Sequence, residues 1–313
     1  MKSAILVKSK SPLIMADIDL PKNLKFGQVL VKVCYSGICG ALINEIDAVK
    51  GTDKFLPHLL GHEGSGIVEQ TGEGVTTVKK GDHVVLHWRK SSGIQSSTPK
   101  YFWNGKQVNA GWVTTFNEKA IVSENRLTVI SKNFDLRSAA LFGCAITSGF
   151  GAVNNDAKVK IGQSVLIFGI GGMGLSIAYG SSLVSAYPIV GVDINMNKLK
   201  IGKKFGLTHG IISKSKNFEK ELKNIFGKNG PEIVFDTTGN SKIMEQAYKL
   251  TPNDGKTIFV GVPNNKISIH SLALAFDKKL EVSHGGDSVP DKDIPRYIRL
   301  IQKKKVNIKD RKS

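Results

Sequence analysis

The sequence predicts an α/β protein in which a β-rich N-terminal domain is followed by a doubly wound parallel sheet. Residues 1–145 hold many short alternating or β-branched runs separated by glycine and polar turns, which is typical of a compact barrel or sandwich. From residue 146 to residue 283, apolar strands alternate with helical patterns, which indicates right-handed βαβ units. A chain of 313 residues is long enough to hold two such domains.

The first domain is predicted mainly from short runs with a two-residue period. The clearest of these runs are Ala4–Lys8, Val29–Tyr35, Gly66–Gln70, Val84–Trp88 and Ala120–Ser123. Cys34 lies in the second run, and we expect it to be a buried strand residue. Residues 91–109 lack this period, and we predict a polar loop there that carries Tyr101, Phe102 and Trp103.

The second domain is predicted from strands and helices that alternate along the chain. Its strands are expected at Ser164–Phe168, Ile189–Val192, Glu232–Phe235, Thr257–Val260 and Leu280–Val282. Helical spacing marks Met196–Phe205, Phe218–Phe226 and Ile243–Leu250. Beyond them, Asp291–Lys305 is predicted to form an amphipathic helix with Ile294, Ile298 and Ile301 on one face.

The composition disfavours several classes of protein. A formal net charge of +18 suits nucleic acid or an anionic membrane surface. However, the lysines are scattered over helical segments and are not interleaved with aromatic residues, so we expect no nucleic-acid partner. No apolar run is long enough to cross a membrane, and we expect no membrane partner. Three cysteines give no even disulfide framework, which favours a reducing cytoplasm.

A glycine-rich turn predicts a dinucleotide site. The segment Gly169-Ile170-Gly171-Gly172-Met173-Gly174 follows an apolar strand and opens a helix. Glycines at 169, 171 and 174 allow a tight turn, a close approach of the backbone to pyrophosphate and close packing of helix on strand. Free N–H groups at the start of the helix, around Gly172 and Met173, can bind the phosphates.

The end of the second strand predicts which dinucleotide is bound. Asp193 stands 19 residues after Gly174, where a carboxylate is expected to meet the ribose hydroxyls. A 2′-phosphate at about 4 Å from this carboxylate would cost roughly 4 kcal/mol per unit charge at an effective dielectric constant near 20. Lys198 can offset that repulsion or bind a ribose hydroxyl. We predict NAD as the cofactor.

Three separated residues predict a catalytic zinc site. Cys39, His62 and Cys144 offer two thiolates and an imidazole. These donors fill three of the four positions that zinc prefers, and an open fourth position distinguishes catalytic from structural zinc. An open zinc and a nicotinamide site in one chain indicate hydride transfer at an alcohol carbon.

Several motifs together resemble the zinc-containing medium-chain alcohol dehydrogenases over essentially the whole chain. They are Gly61-His62-Glu63-Gly64-Ser65-Gly66, Val78-Lys79-Lys80-Gly81-Asp82-His83-Val84-Val85, Gly143-Cys144, Thr147-Ser148-Gly149-Phe150-Gly151-Ala152-Val153, Gly191-Val192-Asp193-Ile194-Asn195 and Val260-Gly261-Val262-Pro263. The resemblance implies a GroES-like catalytic domain wrapped onto a Rossmann domain, with zinc in the cleft between them.

The resemblance also assigns residues to the metal centre. Cys39, His62 and Cys144 are the implied catalytic zinc ligands. Glu63 matches a carboxylate beside the metal that can approach it, so all four residues form the expected catalytic and metal-binding set. Residues 284–313 are expected to return to the catalytic domain.

The nucleotide half of the resemblance adds further expectations. Val260 and Val262 match positions that contact NAD in the family, beside Asp193 and Lys198. Relatives form dimers or tetramers, so we expect a homodimer or homotetramer.

The sequence departs from the family in three places. Ala41 and Leu42 stand where many relatives carry a hydroxyl that relays a proton and an aspartate, so the proton must leave through water or a group such as Asn44 or Glu45. Residues 88–112 lack the four cysteines that hold a structural zinc in many relatives, and we expect one zinc per chain. The family usually continues beyond Ser313, so the return segment is expected to be shortened.

The function that agrees with these expectations is an NAD- and zinc-dependent oxidation of an alcohol, with a polyol or a sugar-like molecule as substrate. Two alternatives stay open from the sequence. One is a biosynthetic carbonyl reductase that acts on an activated or anionic metabolite, which the basic loop after Trp88 favours. The other is a catalytically silent relative that binds a dinucleotide, which Ala41 favours.

Overall fold

The computed structural model describes residues 1–49, 51–263 and 265–304. The chain divides into two compact units. The first comprises residues 1–147 with the described part of 289–312, and the second comprises residues 148–288. The boundaries that the sequence placed at 145/146 and 283/284 remain predictions.

The first unit is built from antiparallel strands. Its strands are β1 Lys2–Leu6, β2 Ile14–Asp17, β3 Gln28–Ser36, β4 His58–Leu59, β5 Glu63–Thr71, β6 His83–His87, β7 Tyr101–Trp103, β8 Lys106–Val108, β9 Lys119–Ser123 and β10 Leu127–Ile130. A five-stranded sheet has the order β10-β6-β5-β3-β9, and a three-stranded sheet has the order β2-β1-β4. Alternate β-branched and leucine side chains of the larger sheet, such as Val29, Val31, Val84 and Leu86, are buried together as its core. The five runs predicted here therefore form strands.

Two predictions for the first unit are wrong. The expected loop at 91–109 contains the β7–β8 hairpin, whose turn residues Asn104 and Gly105 both have positive φ. Asn-Gly is a strong hairpin signal, and the sequence interpretation overlooked it because the flanking strands are only three residues long. Cys34 lies in β3 but is partly exposed, because a register shift between Val33 and Tyr35 interrupts the pairing with β5.

The first unit also contains short helices. They are α1 Gly40–Ile46 and α2 Leu136–Ala139, and α3 Ala145–Gly151 begins at its end. The last helix, α8 Pro290–Lys304, is amphipathic as predicted, and Ile294, Ile298 and Ile301 are buried. Lys305, where the prediction ended this helix, lies outside the described residues.

The second unit is a doubly wound parallel sheet, which confirms the predicted fold class. Its strands are β11 Val165–Phe168, β12 Ile189–Asp193, β13 His209–Ile212, β14 Ile233–Asp236, β15 Lys256–Phe259 and β16 Lys279–Val282. Its helices are α4 Gly172–Leu183, α5 Met196–Lys204, α6 Phe218–Phe226 and α7 Ser241–Leu250. The sheet order is β13-β12-β11-β14-β15-β16, so the winding reverses between β11 and β14. Ligands of such sheets bind at the carboxyl ends of the strands beside this reversal.

Within the described residues, no single helix is long and apolar enough to cross a membrane. One bent pair of helices over 136–156 reaches the required length and composition. Most of its residues are buried in the protein.

Candidate functional site

The three predicted zinc donors come from three separate elements of the first unit. Cys39 stands between β3 and α1, His62 directly precedes β5, and Cys144 follows a 3₁₀ turn at Ala140–Gly143. Their ligand atoms all lie within 4.8 Å of one another. In the described part of the chain, no other group of three His, Cys, Asp or Glu side chains converges in this way.

Two glycines allow this convergence. Gly61 has a φ of +95°, and a β carbon there would lie 2.8 Å from the backbone nitrogen of Thr115. A β carbon at Gly143 would overlap the carbonyl oxygen of Leu86 and lie 2.7 Å from the Cα of Glu63. A side chain at Gly143 would therefore push the turn that carries Cys144 away from β5 and β6.

The pKa values of the two cysteine thiols are shifted in opposite directions. The hydrogen bond between Cys144 and Cys39 is the largest cause that lowers the pKa of the Cys39 thiol to about 4, against the opposing effect of burial. The same bond, together with burial, raises the pKa of the Cys144 thiol well above its ordinary value.

The imidazole of His62 responds to the negative charge around it. Burial by itself lowers the pKa of His62, but its hydrogen bond with Cys39 and the charges of Cys39, Glu63 and Glu45 raise it above the ordinary value. The cluster therefore retains protons that a divalent cation would displace on binding, since thiolate and neutral imidazole are the ligating forms.

Glu63 lies beside the donors. It is the first residue of β5 and is 3% exposed. Its charge contributes to the raised pKa of both His62 and Cys144. Its backbone carbonyl oxygen accepts hydrogen bonds from the hydroxyls of Ser36 and Thr115, each at 3.2 Å. The strand end that carries the carboxylate is thereby fixed against the segment that leads to Cys39.

Helix α1 follows Cys39 and displays the residues that depart from the family. Ala41 is exposed and Leu42 is buried, while Asn44 is half-buried. Glu45 lies 3.8 Å from Nε2 of His58, which itself lies 2.7 Å from the Asp53 carboxylate. The sequence interpretation missed His58 and Asp53, because no motif connects them to the metal ligands.

Residues 88–97 are held to the first unit by hydrogen bonds. Oε2 of the buried Glu124 accepts from the backbone of Ile94 at 2.8 Å, and Oε1 accepts from the backbones of Thr76 and Thr77 at 2.7 and 2.8 Å. Arg126 donates to the carbonyl oxygen of Trp88. This segment is therefore anchored by a buried carboxylate and a buried guanidinium.

The other two tryptophans have different surroundings. Trp103 packs against the buried cluster of Ile5, Ile18, Leu59, Tyr101 and Val108. Trp112 is 50% exposed, and the guanidinium of Arg126 lies 5.3 Å from the centre of its ring. Packing thus accounts for Trp103, whereas Trp112 remains largely open to solvent.

In the second unit, the conformation of the glycine-rich turn requires glycine at two positions. Gly169 has a φ of +85°, and a β carbon at Gly174 would overlap the carbonyl oxygen of Gly169. At Gly171 and Gly172, by contrast, a β carbon would meet nothing within 4 Å. The start of α4 is thus closely packed on one side and open on the other. Met173, the second residue of this helix, is half-buried.

The remaining predicted nucleotide residues lie at the same carboxyl edge of the sheet. Asp193 ends β12 and is 8% exposed, and Lys198 is exposed on α5. Val260 follows β15, and Val262 is 46% exposed. Parallel strands end at one edge, so the sheet gathers these residues with the glycine turn.

Thr237 is a residue of this edge that the sequence interpretation missed. Its hydroxyl lies 3.0 Å from the carbonyl oxygen of Phe168 and 2.8 Å from that of Gly169. It therefore connects the end of β14 to the glycine turn. Its position immediately after the strand that ends at Asp236 is the signal by which it could have been found.

Comparison with known proteins shows which family the chain resembles. Residues 25–132 match a family model described as an alcohol dehydrogenase GroES-like domain, and residues 169–303 match one described as a zinc-binding dehydrogenase. The chain is 31% identical to alcohol dehydrogenase 6 of Peromyscus maniculatus over 337 residues, which covers 98% of the chain and 89% of that relative. It is 30% identical to S-(hydroxymethyl)glutathione dehydrogenase of Photobacterium damsela subsp. piscicida over 292 residues, which covers 83% and 78% respectively.

Solved structures extend the likeness to three dimensions. Benzyl alcohol dehydrogenase from Acinetobacter calcoaceticus is similar with a TM-score of 0.87 and 27% identity. The match covers 97% of this chain and 90% of that chain. The match therefore includes residues of both units.

Proposed function

The chain is a member of the zinc-dependent alcohol dehydrogenase family, and from that premise we propose which of its residues bind the metal, the cofactor and the substrate. Members of this family are oxidoreductases that transfer hydride between an alcohol and NAD. The observation that carries the assignment is the convergence of the Cys39, His62 and Cys144 ligand atoms within 4.8 Å.

The donor set fits zinc. Two sulfurs and one imidazole nitrogen are ligands that zinc accepts, and three protein ligands are the number found in catalytic sites. Cys39, His62 and Cys144 hold the metal, which when bound supplies a Lewis acid that polarises the oxygen of an alcohol or carbonyl group. The two thiolates balance the charge of a divalent ion.

The protein's own groups prepare this centre. Glu63 places a negative charge beside His62 and Cys144, which favours a cation in the site. The close packing at Gly143 fixes the turn before Cys144 against β5 and β6. Ligands held by such packing need little rearrangement when the metal binds, and preorganised ligands favour a single geometry.

The chain holds one zinc. Residues 88–112 contain no cysteine, and the described part of this segment is fixed by Glu124 and Arg126 through hydrogen bonds. A buried carboxylate with three backbone donors performs the anchoring that a structural metal would otherwise provide.

NAD binds at the carboxyl edge of the parallel sheet. The N–H groups at the start of α4, beside Gly171 and Gly172, bind the pyrophosphate. Asp193 accepts from the ribose hydroxyls and repels a 2′-phosphate, which selects NAD over NADP. Lys198, Val260 and Val262 complete the nucleotide contacts.

The substrate is an alcohol of the polyol or sugar-like class. Its polar body is accommodated by the basic and polar segment that starts at Arg89, whose guanidinium lies 5.9 Å from the centre of the Trp88 ring. A cationic side chain in this segment favours substrates with hydroxyl or anionic groups over purely apolar alcohols.

The assignment is tested by following NADH formation with a panel of simple alcohols, polyols and sugar alcohols. The intact chain should reduce NAD with at least one polyol, and Cys144→Ser should abolish this activity while NADH still binds. Activity that survives in Cys144→Ser would show that the assignment of the metal ligands is wrong.

A further inference from the structure

Helix α1 begins directly after the proposed metal ligand Cys39, which is its N-cap residue, and its one titratable residue is Glu45. Ala41, in the first turn of the helix, offers only a methyl group. The amide of Asn44 exchanges hydrogen bonds but is neither an acid nor a base at neutral pH. Glu45 is therefore the residue of this helix that can take up a proton.

The geometry of the helix directs the Glu45 side chain toward Cys39. Ala41 and Glu45 are four residues apart, so they share one face of α1 with their β carbons about 5–6 Å apart. Long side chains on a helix lean toward its N-terminus and cover the preceding turn. The Glu45 side chain is also 47% exposed. Its carboxylate thus connects the turn that starts at Cys39 with solvent.

The buried ring of His58 lies beside this carboxylate. Its Nε2 is 3.8 Å from Oε1 of Glu45 and 2.7 Å from Oδ2 of Asp53. Its Nδ1 is 3.1 Å from the carbonyl oxygen of Leu59, which can only accept, so Nδ1 carries a proton. Oδ1 of Asp53 accepts from the backbone nitrogen of Phe55 at 2.8 Å. Glu45 therefore faces a ring that is held on both of its nitrogens.

The segment that carries His58 also leads to a metal ligand. His58 begins β4, which is paired with β1, and His62 follows four residues later. Between them, the carbonyl oxygen of Leu60 accepts from the backbone nitrogens of Thr115 and Phe116, at 3.0 and 3.1 Å. The two segments that meet at the contact of His58 with the helix thus each carry a proposed metal ligand.

We propose that Glu45 accepts the proton that the substrate hydroxyl loses on oxidation, and that His58 is its positioning residue. In this step the O–H bond of the alcohol breaks, and its proton passes to the Glu45 carboxylate and then to water. The hydride of the same carbinol group passes to NAD, so the alcohol becomes a carbonyl compound and NAD becomes NADH. This inference rests on the proposed function, because it requires alcohol oxidation beside Cys39.

The test compares Glu45→Gln with the wild type in single turnovers, by the rate of NADH formation from a polyol that the wild type oxidises. Glutamine keeps the size of the side chain but accepts no proton. The rate should fall about 100-fold or more, because general bases contribute typically 10²–10⁴-fold. The zinc content and the affinity for NADH should match the wild type, because neither requires this carboxylate.

Asp47→Asn is the matched control. Asp47 is an exposed carboxylate at the C-cap of the same helix. It lies two residues after Glu45, and residues at this spacing do not share a helix face. Asp47→Asn should therefore form NADH at the wild-type rate.

Chemical rescue separates proton transfer from a structural role. Glu45→Ala leaves space for a small carboxylate, so added formate should restore part of the rate in proportion to its concentration. Formate should not accelerate Asp47→Ala. A slow Glu45→Ala variant that formate does not accelerate would assign Glu45 a structural role and overturn the inference.

A further measurement needs neither metal nor activity. In the ¹⁵N-labelled protein, the His58 ring signals are assigned by their loss in His58→Gln. Glu45→Gln should shift the Nε2 signal of His58, because Nε2 faces the Glu45 carboxylate, and Asp47→Asn should leave it in place. An Nε2 signal that stays in place in Glu45→Gln would contradict the positioning role of His58.

The outcomes distinguish this inference from the proposed function. A zinc-loaded wild-type protein that oxidises no alcohol would overturn both. An active wild type with an equal single-turnover rate in Glu45→Gln would overturn the inference alone and leave the metal and cofactor assignments unchanged.

Discussion

The carboxylate of Asp193 accepts a hydrogen bond from the backbone nitrogen of Ile170, with Oδ2 at 2.7 Å. Its other oxygen, Oδ1, accepts from the backbone of Asn195 at 2.9 Å. One side chain therefore connects the glycine-rich turn after β11 to the end of β12. The residue proposed to select the cofactor also fixes the turn that binds the cofactor's phosphates.

Removal of the Asp193 charge should relax cofactor selection. Asp193→Asn keeps an oxygen for one of the two backbone donors but no longer repels a 2′-phosphate. We expect the ratio of NAD to NADP affinity to fall by at least about tenfold, since even a fraction of the roughly 4 kcal/mol repulsion corresponds to that factor. Dinucleotide titration measures the ratio, and Asp254→Asn, an exposed change of equal charge, is the control. An unchanged ratio would remove Asp193 from the selection of NAD.

Loss of the Thr237 hydroxyl should weaken NADH binding without removing it. Thr237→Val loses the donor that faces the Phe168 and Gly169 carbonyl oxygens, a cost of about 1 kcal/mol or about fivefold in affinity. Thr237→Ser keeps the hydroxyl and should bind NADH like the wild type. Fluorescence titration with NADH compares the three proteins, and equal affinities would show that this bond does not support the glycine turn.

Acid should destabilise the first unit through His87. This ring is buried: its Nδ1 donates to the carbonyl oxygen of Arg89 at 2.7 Å, and its Nε2 lies 2.9 Å from the hydroxyl of Thr128. Burial lowers the pKa of His87 to about 4. The unfolded chain thus binds more protons than the folded chain between pH 6.5 and pH 4. The stabilisation of the folded chain by the neutral His87 ring is therefore complete above pH 6.5 and is lost as the pH falls toward 4.

The free energy of unfolding should fall by about 3 kcal/mol once the His87 ring of the unfolded chain is fully protonated. Urea unfolding followed by tryptophan fluorescence measures it for the first unit, because all three tryptophans lie at 88, 103 and 112. His87→Gln should have a shallower dependence on pH, and the exposed His270→Gln should not differ from the wild type. If the free energy of unfolding depended on pH equally in the wild type and in His87→Gln, the proposed role of this histidine would be contradicted.

The buried carboxylate of Glu124 should stabilise the first unit. Glu124→Gln replaces one acceptor oxygen by an NH₂ group that faces a backbone donor at Ile94 or at Thr76 and Thr77. We expect a loss of about 1–3 kcal/mol in the free energy of unfolding. Glu69→Gln, which breaks a partly exposed ion pair with Lys119, should cost less than about 1 kcal/mol. Equal losses of unfolding free energy in the two variants would show that the buried Glu124 carboxylate stabilises the first unit no more than a partly exposed ion pair does.

The sequence predicted those parts of the fold that depend on local periodicity. The alternation along Val29–Tyr35 and the apolar run that leads to Gly169 are local patterns, and both form strands. The β7–β8 hairpin was missed because a strand of three residues has no measurable period, although Asn104-Gly105 marks its turn. The exposure of Cys34 depends on a bulge that pairing with β5 creates, and no local pattern reports it.

The candidate site was predicted from motifs rather than from periodicity. Cys39, His62 and Cys144 are far apart along the chain, and they were connected by their donor chemistry and by the resemblance to a family. Thr237 and Glu124 have roles that depend on contacts with distant residues, namely the Gly169 carbonyl and the Ile94 backbone. Such contacts arise from tertiary packing, which spacing along the sequence does not encode.

The most direct test of the account is the zinc content and NADH binding of the intact chain, Cys39→Ser and Cys34→Ser. Cys34 is the matched control, because it is the one remaining cysteine of the sequence and is partly exposed in β3. We predict about one zinc per chain in the intact protein and in Cys34→Ser, none in Cys39→Ser, and NADH binding in all three. Zinc retained by Cys39→Ser, or an intact chain that takes up no zinc, would contradict the proposed metal centre.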